Sequence, residues 1–244
     1  MEKTIVEERC NKYKEYFTKE YMMGPNSLRL LEEIIADTPE AIQGGRVLDL
    51  GCGEALTSIF VAKETAADTV YATDLWISAT DNYKRIQKEQ LEEKIIPIHA
   101  DAMELPFAEE YFDAIVSIDA YHYFGTEEPV FAEKILPLMK KGGYALICIP
   151  GLNKNLDEEN EKLMYEWAQE EMNAFKTVDW WETHIKKLCE DQIEIKCYES
   201  SIFDQVWDDW IQTGHEYALR DAEYLKNGLD KLLNFVMIVV KKKR

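Results

Sequence analysis

Residues 46–56, with the sequence RVLDLGCGEAL, constrain the fold of this chain more than any other stretch. Val47, Leu48 and Leu50 form a short apolar run that ends at Gly51, and a second glycine follows two positions later. Such a run, bounded by glycines, predicts a buried parallel strand that enters a tight turn. Apolar residues at spacings of three and four then predict a helix. We therefore expect the first half of a βαβ unit.

The glycines of this turn indicate a ligand site. A residue without a Cβ lets a ligand approach the main chain, and the following helix offers unpaired N–H groups. The dinucleotide fingerprint G-x-G-x-x-G is incomplete, because Leu56 stands where the third glycine would be. Asp49 near the end of the strand would repel a pyrophosphate but suits a ligand that carries an ammonium group. A plain turn that binds nothing is the alternative.

The length and composition predict one α/β domain. The chain has 244 residues, of which 46% are hydrophobic. This is enough for one domain with a large core, but two independent domains would each be small. Five cysteines without a C-x-x-C pair indicate reduced thiols, and we predict no metal site. The charged first residues and the lack of a long apolar run predict a cytoplasmic protein without a membrane partner.

The excess of acidic residues limits the kinds of molecule that this chain is expected to bind. The chain has 28 Lys and Arg against 47 Asp and Glu, a formal net charge of −19. Such a surface repels phosphate backbones, and the terminal KKKR is too short to reverse this, so we predict no nucleic-acid partner. Most of the acidic residues are expected to lie on a solvated surface. A preference for neutral or cationic small molecules follows only weakly.

Further strands are predicted to end in an acid. Three of them end at Asp74, Asp101 and Asp119, and a fifth strand covers residues 144–149. Strands that alternate with helices predict a parallel doubly wound sheet, in which the strand ends meet at one edge. Asp74 lies 21 residues beyond Gly53, close to the interval of about 20 residues at which a carboxylate binds ribose hydroxyls.

Two of these acids predict an adenosine ligand, although each has another interpretation. Asp74 precedes Leu75 and Trp76, where a carboxylate often caps a helix instead. Asp101 can accept a hydrogen bond from an adenine amino group, while apolar residues after it offer a surface to the ring. Pro97 in the third strand predicts that this strand lies at the edge of the sheet.

Five motifs in unbroken order over about residues 40–150 resemble the class I S-adenosylmethionine-dependent methyltransferase family, particularly its small-molecule branch. The motifs are VLDLGCGEA, the strand ending at Asp74, HADAMELPF, YFDAIVSIDAYHYF and LPLMKKGGYALICIP. The resemblance implies S-adenosylmethionine as the cofactor and methyl transfer to a small molecule as the activity. One departure is Ala55, where the family often has a third glycine.

The resemblance also implies which groups hold the cofactor. The glycine turn, with the acid before it, would hold the methionine moiety, the end of the second strand the ribose, and the end of the third strand the adenine. The predicted cofactor contacts are Asp49, Gly51, Cys52, Gly53, Asp74, Leu75, Asp101, Ala102 and Asp119.

The organisation predicted from these motifs is a single methyltransferase domain over residues 1–244. An N-terminal helical cap occupies 1–40, a cofactor-binding core occupies 41–150, and lid insertions with the last strands occupy 151–244. The complete sheet is predicted to have seven strands, mostly parallel, with an antiparallel closing strand.

The remaining elements are predicted from periodicity. Helices are expected over 125–139 and 157–175, and a long helical stretch over 207–233. Strands are expected over 192–198 and 235–241. The N-terminal cap, the insertion after the fifth strand and the 207–233 region are the segments expected to close over the strand ends and exclude water.

His122 is the predicted general base or orienting group, with Asp119 as its partner or as a direct contact to the acceptor. An imidazole titrates near neutral pH, and His122 follows the fourth strand, which ends beside the first. The alternative is a histidine that only bonds its own loop, since many methyl transfers need no base. The predicted acceptor contacts are Tyr121, Tyr123, Trp180 and Trp207, although the tryptophans can equally belong to the core.

Two activities from other classes remain open. An aminopropyl transferase shares this fold, but it would be expected to show paired acids after the fourth strand, where Ala120 follows Asp119. A non-catalytic regulator that binds an adenosyl ligand is the other alternative. The sequence leaves the acceptor atom (N, O, S or C) and the oligomeric state undetermined.

Overall fold

The computed structural model describes residues 9–244, which contain seven strands in one sheet. The strands are β1 (Arg46–Leu50), β2 (Thr69–Asp74), β3 (Ile95–His99), β4 (Phe112–Ile118), β5 (Met139–Leu152), β6 (Ile193–Glu199) and β7 (Leu233–Lys242). Their order is β3-β2-β1-β4-β5-β7-β6, and β7 is antiparallel to both of its neighbours. The predicted mostly parallel sheet with an antiparallel closing strand is confirmed, and β3 is an edge strand, as Pro97 predicted.

Helices cover both faces of the sheet. They are α1 (Ser27–Asp37), α2 (Leu56–Glu64), α3 (Ala79–Lys88), α4 (Glu158–Ala168), α5 (Val178–Lys186), α6 (Phe203–Gln212) and α7 (Glu216–Lys226). Among these described helices, none is both long enough and apolar enough to cross a membrane. Asn26 caps α1, because its side chain accepts hydrogen bonds from the N–H groups of Leu28 and Arg29.

The surroundings of β1 explain why nearly all of its residues are apolar. Val47 packs into one hydrophobic core, whereas Leu48 and Leu50 pack into a second one. Successive side chains of a strand point to opposite faces, so a sheet with helices on both sides needs apolar residues at consecutive positions. Each side chain buried in this way contributes about 1.5–3 kcal/mol.

The helix predicted over 125–139 is wrong in its extent and geometry. A π-helical turn covers Phe131–Ile135, and a 3₁₀ turn follows over Leu136–Leu138. Pro137 lies in that second turn, and because proline lacks an N–H it cannot continue the helical hydrogen-bond ladder. β5 then begins at Met139 and is longer than predicted, since β7 pairs with it as far as Leu152.

Two other predicted helices are interrupted. The one expected over 157–175 ends at Ala168, because Gln169 adopts a left-handed φ of +50° and only a 3₁₀ helix follows. The stretch expected over 207–233 forms two helices separated at Gly214, which has a φ of +68°. In both places a local backbone conformation with positive φ ends the helix.

The N-terminal cap is attached to the ends of two helices that follow β1 and β2. Tyr13 is buried, and its hydroxyl donates to Glu64 at the end of α2 at 2.9 Å. Tyr16 is also buried, and its hydroxyl donates to Glu89 just after α3. The first eight residues of the predicted cap lie outside the described residues. The cap is therefore fixed to the ends of α2 and α3 before α1 begins.

Candidate cofactor and acceptor site

A cavity of about 280 Å³ opens at the carboxyl ends of β1, β2 and β4. It brings together the glycine turn after β1, the acids after β2, β3 and β4, and the segment before α1. Among the predicted cofactor contacts, eight line it: Gly51, Cys52, Gly53, Asp74, Leu75, Asp101, Ala102 and Asp119. In a doubly wound sheet, ligands bind at this edge, where the strand order reverses beside the first strand.

A larger cavity of about 570 Å³ lies between α1 and the segment after β6. Its walls include Glu33 and Tyr198 but none of the strand-end groups of β1, β2 or β4. Glu33 is occupied there, because it accepts hydrogen bonds from Ser200 and Ser201. We assign the functional site to the smaller cavity because the glycine turn and the strand-end acids converge only there.

The glycine turn has a backbone conformation that residues with a Cβ atom would disturb. Gly51 has a φ of +77° and Gly53 a φ of +50°. A Cβ on Gly51 would lie 2.3 Å from the Cβ of Ala120, which follows β4. The N–H groups of Gly51 and Cys52 donate to the carbonyl of Thr73 at 2.9 and 3.0 Å. The turn is therefore held between β2 and the loop after β4.

Asp74 accepts three backbone hydrogen bonds at the end of β2. Its Oδ2 accepts from the N–H of Gly53, and its Oδ1 accepts from those of Trp76 and Ile77, all at 2.8 Å. Asp74 does not cap a helix as the alternative predicted, because Ser78 is the N-cap of α3, and its carboxylate instead holds the turn that follows β2. A carboxylate offers about four lone-pair sites, so the geometry leaves Asp74 about one further acceptor position toward the cavity.

Asp49 does not reach the cavity. Its carboxylate is fully buried and its Oδ2 accepts hydrogen bonds from Thr57 at 2.7 Å and Ser58 at 2.5 Å, both in α2. Burial raises the pKa of Asp49 to about 6, although the two hydroxyls oppose this effect. The structure thus corrects the predicted direct contact with the methionine moiety, and Asp49 fixes the start of α2 against β1.

Asp101 and Ala102 lie at the opposite end of the cavity, after β3. The Oδ1 of Asp101 accepts from the N–H of Met103 at 2.9 Å, and its carboxylate is otherwise exposed. The sequence analysis missed Asn82, which is buried and donates to the carbonyl of Gly53 at 2.9 Å. Its position on a polar stretch of α3 gave no signal that it supports the glycine turn.

Asp119 faces the cavity from the end of β4 with an unusual backbone. Its φ is +57°, and its N–H donates to the carbonyl of Cys148 at 2.7 Å. No described group donates a hydrogen bond to its carboxylate. Burial raises the pKa of Asp119 to about 7. A carboxyl group with such a pKa can take up or release a proton near neutral pH.

His122 is not the base that the sequence predicted. It is buried, it does not line the cavity, and its Nδ1 has no partner among the described residues. Burial lowers the pKa of His122 to about 3, so the ring stays neutral. Tyr121 is also buried away from the cavity, whereas Tyr123 lines it. Within this short 3₁₀ turn, the neighbours of Tyr123 point into the core.

The two predicted tryptophan contacts belong to the packing of the protein. Trp207 is buried against Trp167 and Phe235, and Trp180 stacks on His184 with 4.3 Å between the ring centroids. Neither lines the cavity. Apolar residues that line it without having been predicted as contacts include Met23, Leu56, Trp76, Ile118 and Phe124. Among residues 9–244, no three His, Cys, Asp or Glu side chains come together as metal ligands.

Comparison with known proteins identifies the family of this core. Residues 47–143 match the model of the methyltransferase domain. This core therefore carries a methyltransferase domain that is similar to those of the class I S-adenosylmethionine-dependent methyltransferases. Among similar curated methyltransferases, sterol 24-C-methyltransferase of Pneumocystis carinii is 31% identical over 129 residues, covering 50% of this chain and 33% of the relative.

A relative with a different kind of acceptor is tRNA (carboxymethyluridine(34)-5-O)-methyltransferase alkbh8 of Xenopus tropicalis. It is 29% identical over 136 residues, which cover 55% of this chain and 19% of the relative. The chain therefore spans well under half the length of either curated relative. Phosphoethanolamine N-methyltransferase 2 of Haemonchus contortus, solved in complex with S-adenosyl-L-methionine, superposes with a TM-score of 0.72 and 19% identity. That match covers 91% of this chain and 54% of the solved chain, and it shows a shared fold.

The raised pKa of Asp119 predicts how the stability of this protein depends on pH. The pKa is about 7 in the folded protein against 3.8 for an ordinary aspartate, so the folded state binds the proton more tightly. Ionisation of Asp119 therefore lowers the stability as the pH rises through this interval. We expect Asp119→Asn to raise the Tm by about 2–4 °C or more at pH 8, and by much less at pH 5. Thermal unfolding at both pH values, with Asp101→Asn as the exposed control, measures this difference. An equal rise at both pH values would contradict the assignment.

Proposed function

We propose that this protein transfers a methyl group from S-adenosylmethionine to a small molecule. The observation that carries the proposal is the convergence of the glycine turn with the acids after β2, β3 and β4 in one cavity. The family of the core supports S-adenosylmethionine as the cofactor, and neighbours of the same fold have been solved with this molecule or its demethylated product.

The groups on the cavity wall suit this cofactor. Asp74 would accept a hydrogen bond from a ribose hydroxyl, and Asp101 one from the adenine amino group. The main chain at Gly51 and Gly53, free of Cβ atoms, would lie against the methionine moiety. Asp119, at the end of β4 beside the turn, would face the reacting end of the cofactor. These roles follow the order of the strands, since β4, β1, β2 and β3 are consecutive neighbours.

A small acceptor is favoured by the charge and by the shape of the site. The described lining residues of the cavity include no Lys, Arg or His, although a phosphate backbone would need such cations. The net charge of −19 opposes an RNA substrate at longer range. The segment before α1 and the loop after β4 both border the cavity, whose volume of about 280 Å³ suits small ligands. These features support a small molecule in place of the tRNA on which one relative acts.

The contribution of the protein to such a reaction is mainly positioning. The bound cofactor would supply a methyl group that is attached to a sulfonium sulfur. The acceptor would attack the methyl carbon in line with the carbon–sulfur bond, and the sulfur would leave. Asp119 and Tyr123 would orient the acceptor, because both line the cavity in the stretch that follows β4. The apolar residues around them would exclude water from the reacting atoms. His122 and Tyr121 would support this loop from the core side.

Incubation with methyl-labelled S-adenosylmethionine tests the proposal. The protein would be given a metabolite extract in one reaction and total tRNA in another, with Asp74→Ala as the matched control, and labelled products would be identified by mass spectrometry. Label in a small molecule, lost in the control, is the expected result. Label in tRNA would overturn the small-molecule acceptor. Tight binding of S-adenosylhomocysteine without any labelled product would favour the non-catalytic regulator, and transfer of an aminopropyl group from decarboxylated cofactor would favour the aminopropyl transferase.

A further inference from the structure

The charged side chains that line the cavity are all acidic among the described residues. Four carboxylates belong to its wall, at Glu54, Asp74, Asp101 and Asp119, and none of the described lining residues is cationic. Three of the four have partners: Glu54 forms an ion pair with Arg85, while Asp74 and Asp101 accept backbone hydrogen bonds. Asp119 differs from them, because no described group donates to its carboxylate. A carboxylate inside a cavity and without a donor is suited to a ligand that supplies one.

The position of Asp119 places this carboxylate on the acceptor side of the site. A Cβ on Gly24, in the segment before α1, would lie 2.8 Å from its Oδ2. The carboxylate thus faces the segment before α1. Asp119 and Tyr123 both line the cavity, and the pKa of Tyr123 is raised by its burial and further by the charge of Asp119. The main contribution to that pKa is the burial of Tyr123.

Large apolar side chains surround the entrance on the same side. Trp76 is 64% exposed and Tyr123 is 51% exposed, and their rings meet edge to face with 5.2 Å between the centroids. Met23 is 53% exposed and also lines the cavity. Exposed side chains of this size that cluster at a cavity are typical of a binding surface. Aromatic faces stabilise both apolar rings and cations.

We propose that the methyl acceptor is an amine carried on an apolar, aromatic body and without a phosphate or carboxylate group. The inference rests on the proposed function and specifies its substrate class. The carboxylate of Asp119 accepts a hydrogen bond from the amine, and the aromatic pair of Trp76 and Tyr123 contacts the body of the molecule. The absence of cations from the described wall of the cavity disfavours acceptors that carry an anionic group.

The reaction of such an amine balances with Asp119 as the proton acceptor. An ammonium group first transfers one proton to the carboxylate, which leaves a neutral amine with a free electron pair. That pair forms a bond to the methyl carbon as the bond from carbon to sulfur breaks, and the electron pair of the broken bond stays on sulfur. The products are a methylated ammonium and the neutral thioether, so the positive charge moves from sulfur to nitrogen. The proton on Asp119 then returns to solvent.

The test compares three aromatic amines with an alcohol, a carboxylate and a phosphate probe, among which 2-phenylethylamine and 2-phenylethanol differ only in the group that would meet Asp119. The whole protein, loaded with S-adenosylhomocysteine, would be titrated by calorimetry with 2-phenylethylamine, tryptamine and benzylamine. The matched probes are 2-phenylethanol for the uncharged group, 3-phenylpropanoate for a carboxylate and phosphoethanolamine for a phosphate. Turnover of each probe with methyl-labelled S-adenosylmethionine is then measured for the native protein, Asp119→Asn and Asp119→Glu.

We expect at least one amine to bind at least tenfold more tightly than the alcohol, with no binding of either anion. Asp119→Asn should remove this preference and raise the KM for the amine at least tenfold, while the affinity for S-adenosylhomocysteine stays within threefold of native. Asp119→Glu should restore part of the preference. Equal binding of amine and alcohol, binding of an anion, or no binding of any of the three amines would overturn the inference. Failure of the native protein to bind S-adenosylhomocysteine would instead overturn the proposed function.

Discussion

Gly51→Ala is expected to lower the affinity for S-adenosylhomocysteine by at least two orders of magnitude. The new methyl group would lie 2.3 Å from the Cβ of Ala120, so the glycine turn and the loop after β4 would have to separate. The left-handed backbone at Gly51, with a φ of +77°, adds a cost of about 1–2 kcal/mol for a residue with a Cβ. Calorimetric titration of the purified variant measures the affinity, and thermal unfolding reports its stability.

Two further variants separate the clash from a general loss of folding. Gly214→Ala is the matched control, because Gly214 has a similar left-handed backbone with a φ of +68°, does not line the cavity, and its Cβ would meet nothing within 4 Å. Its affinity should fall less than tenfold. The double variant Gly51→Ala with Ala120→Gly removes the colliding methyl group and should recover part of the lost affinity and Tm. A Gly51→Ala protein that binds within threefold of native would show that the turn does not hold the cofactor.

Asp74→Ala is expected to weaken binding of S-adenosylhomocysteine by about one to two orders of magnitude. A hydrogen bond to a charged group contributes about 1.5–3 kcal/mol, and the proposed ribose contact is one such bond. The variant also leaves the N–H groups of Gly53, Trp76 and Ile77 without their acceptor. The turn before α3 should therefore become less ordered, which the fluorescence of the exposed Trp76 can report.

The matched control removes a neighbouring charge without touching the cavity. Asp81→Asn eliminates an exposed carboxylate in the first turn of α3, and Asp81 does not line the cavity. Its affinity for S-adenosylhomocysteine should stay within twofold of native. If Asp74→Ala also binds within twofold while remaining folded, the ribose lies elsewhere. The proposed arrangement of the cofactor would then be wrong.

The order of the elements could be predicted from the sequence because its signals are local. The consecutive apolar residues of β1 require a sheet that is covered on both faces, and the glycines after it require a turn that side chains would obstruct. The acid at the end of each following strand then had to lie at the same edge of the sheet. Five motifs in one order were sufficient to indicate the family, since each fixes a neighbouring strand of the same sheet.

The tertiary structure decided which of the candidate side chains reach the cavity. Asp49 and Asp74 are both acids at strand ends, but Asp49 lies one position before the last residue of β1 and points to the side where α2 covers it. Asp74 is the last residue of β2 and faces the turn. A shift of one position along a strand reverses the face to which a side chain points.

The same reason separates His122 from Tyr123. The sequence places both after β4, and it favours the histidine because an imidazole titrates near neutral pH. The positive φ of Asp119 turns the chain at the end of the strand, and the following 3₁₀ turn directs His122 into the core and Tyr123 to the cavity. The sequence by itself determined the sheet, the glycine turn and the family. Only the tertiary structure decided which side chains face the ligand, because that depends on backbone angles and packing partners far away in the chain.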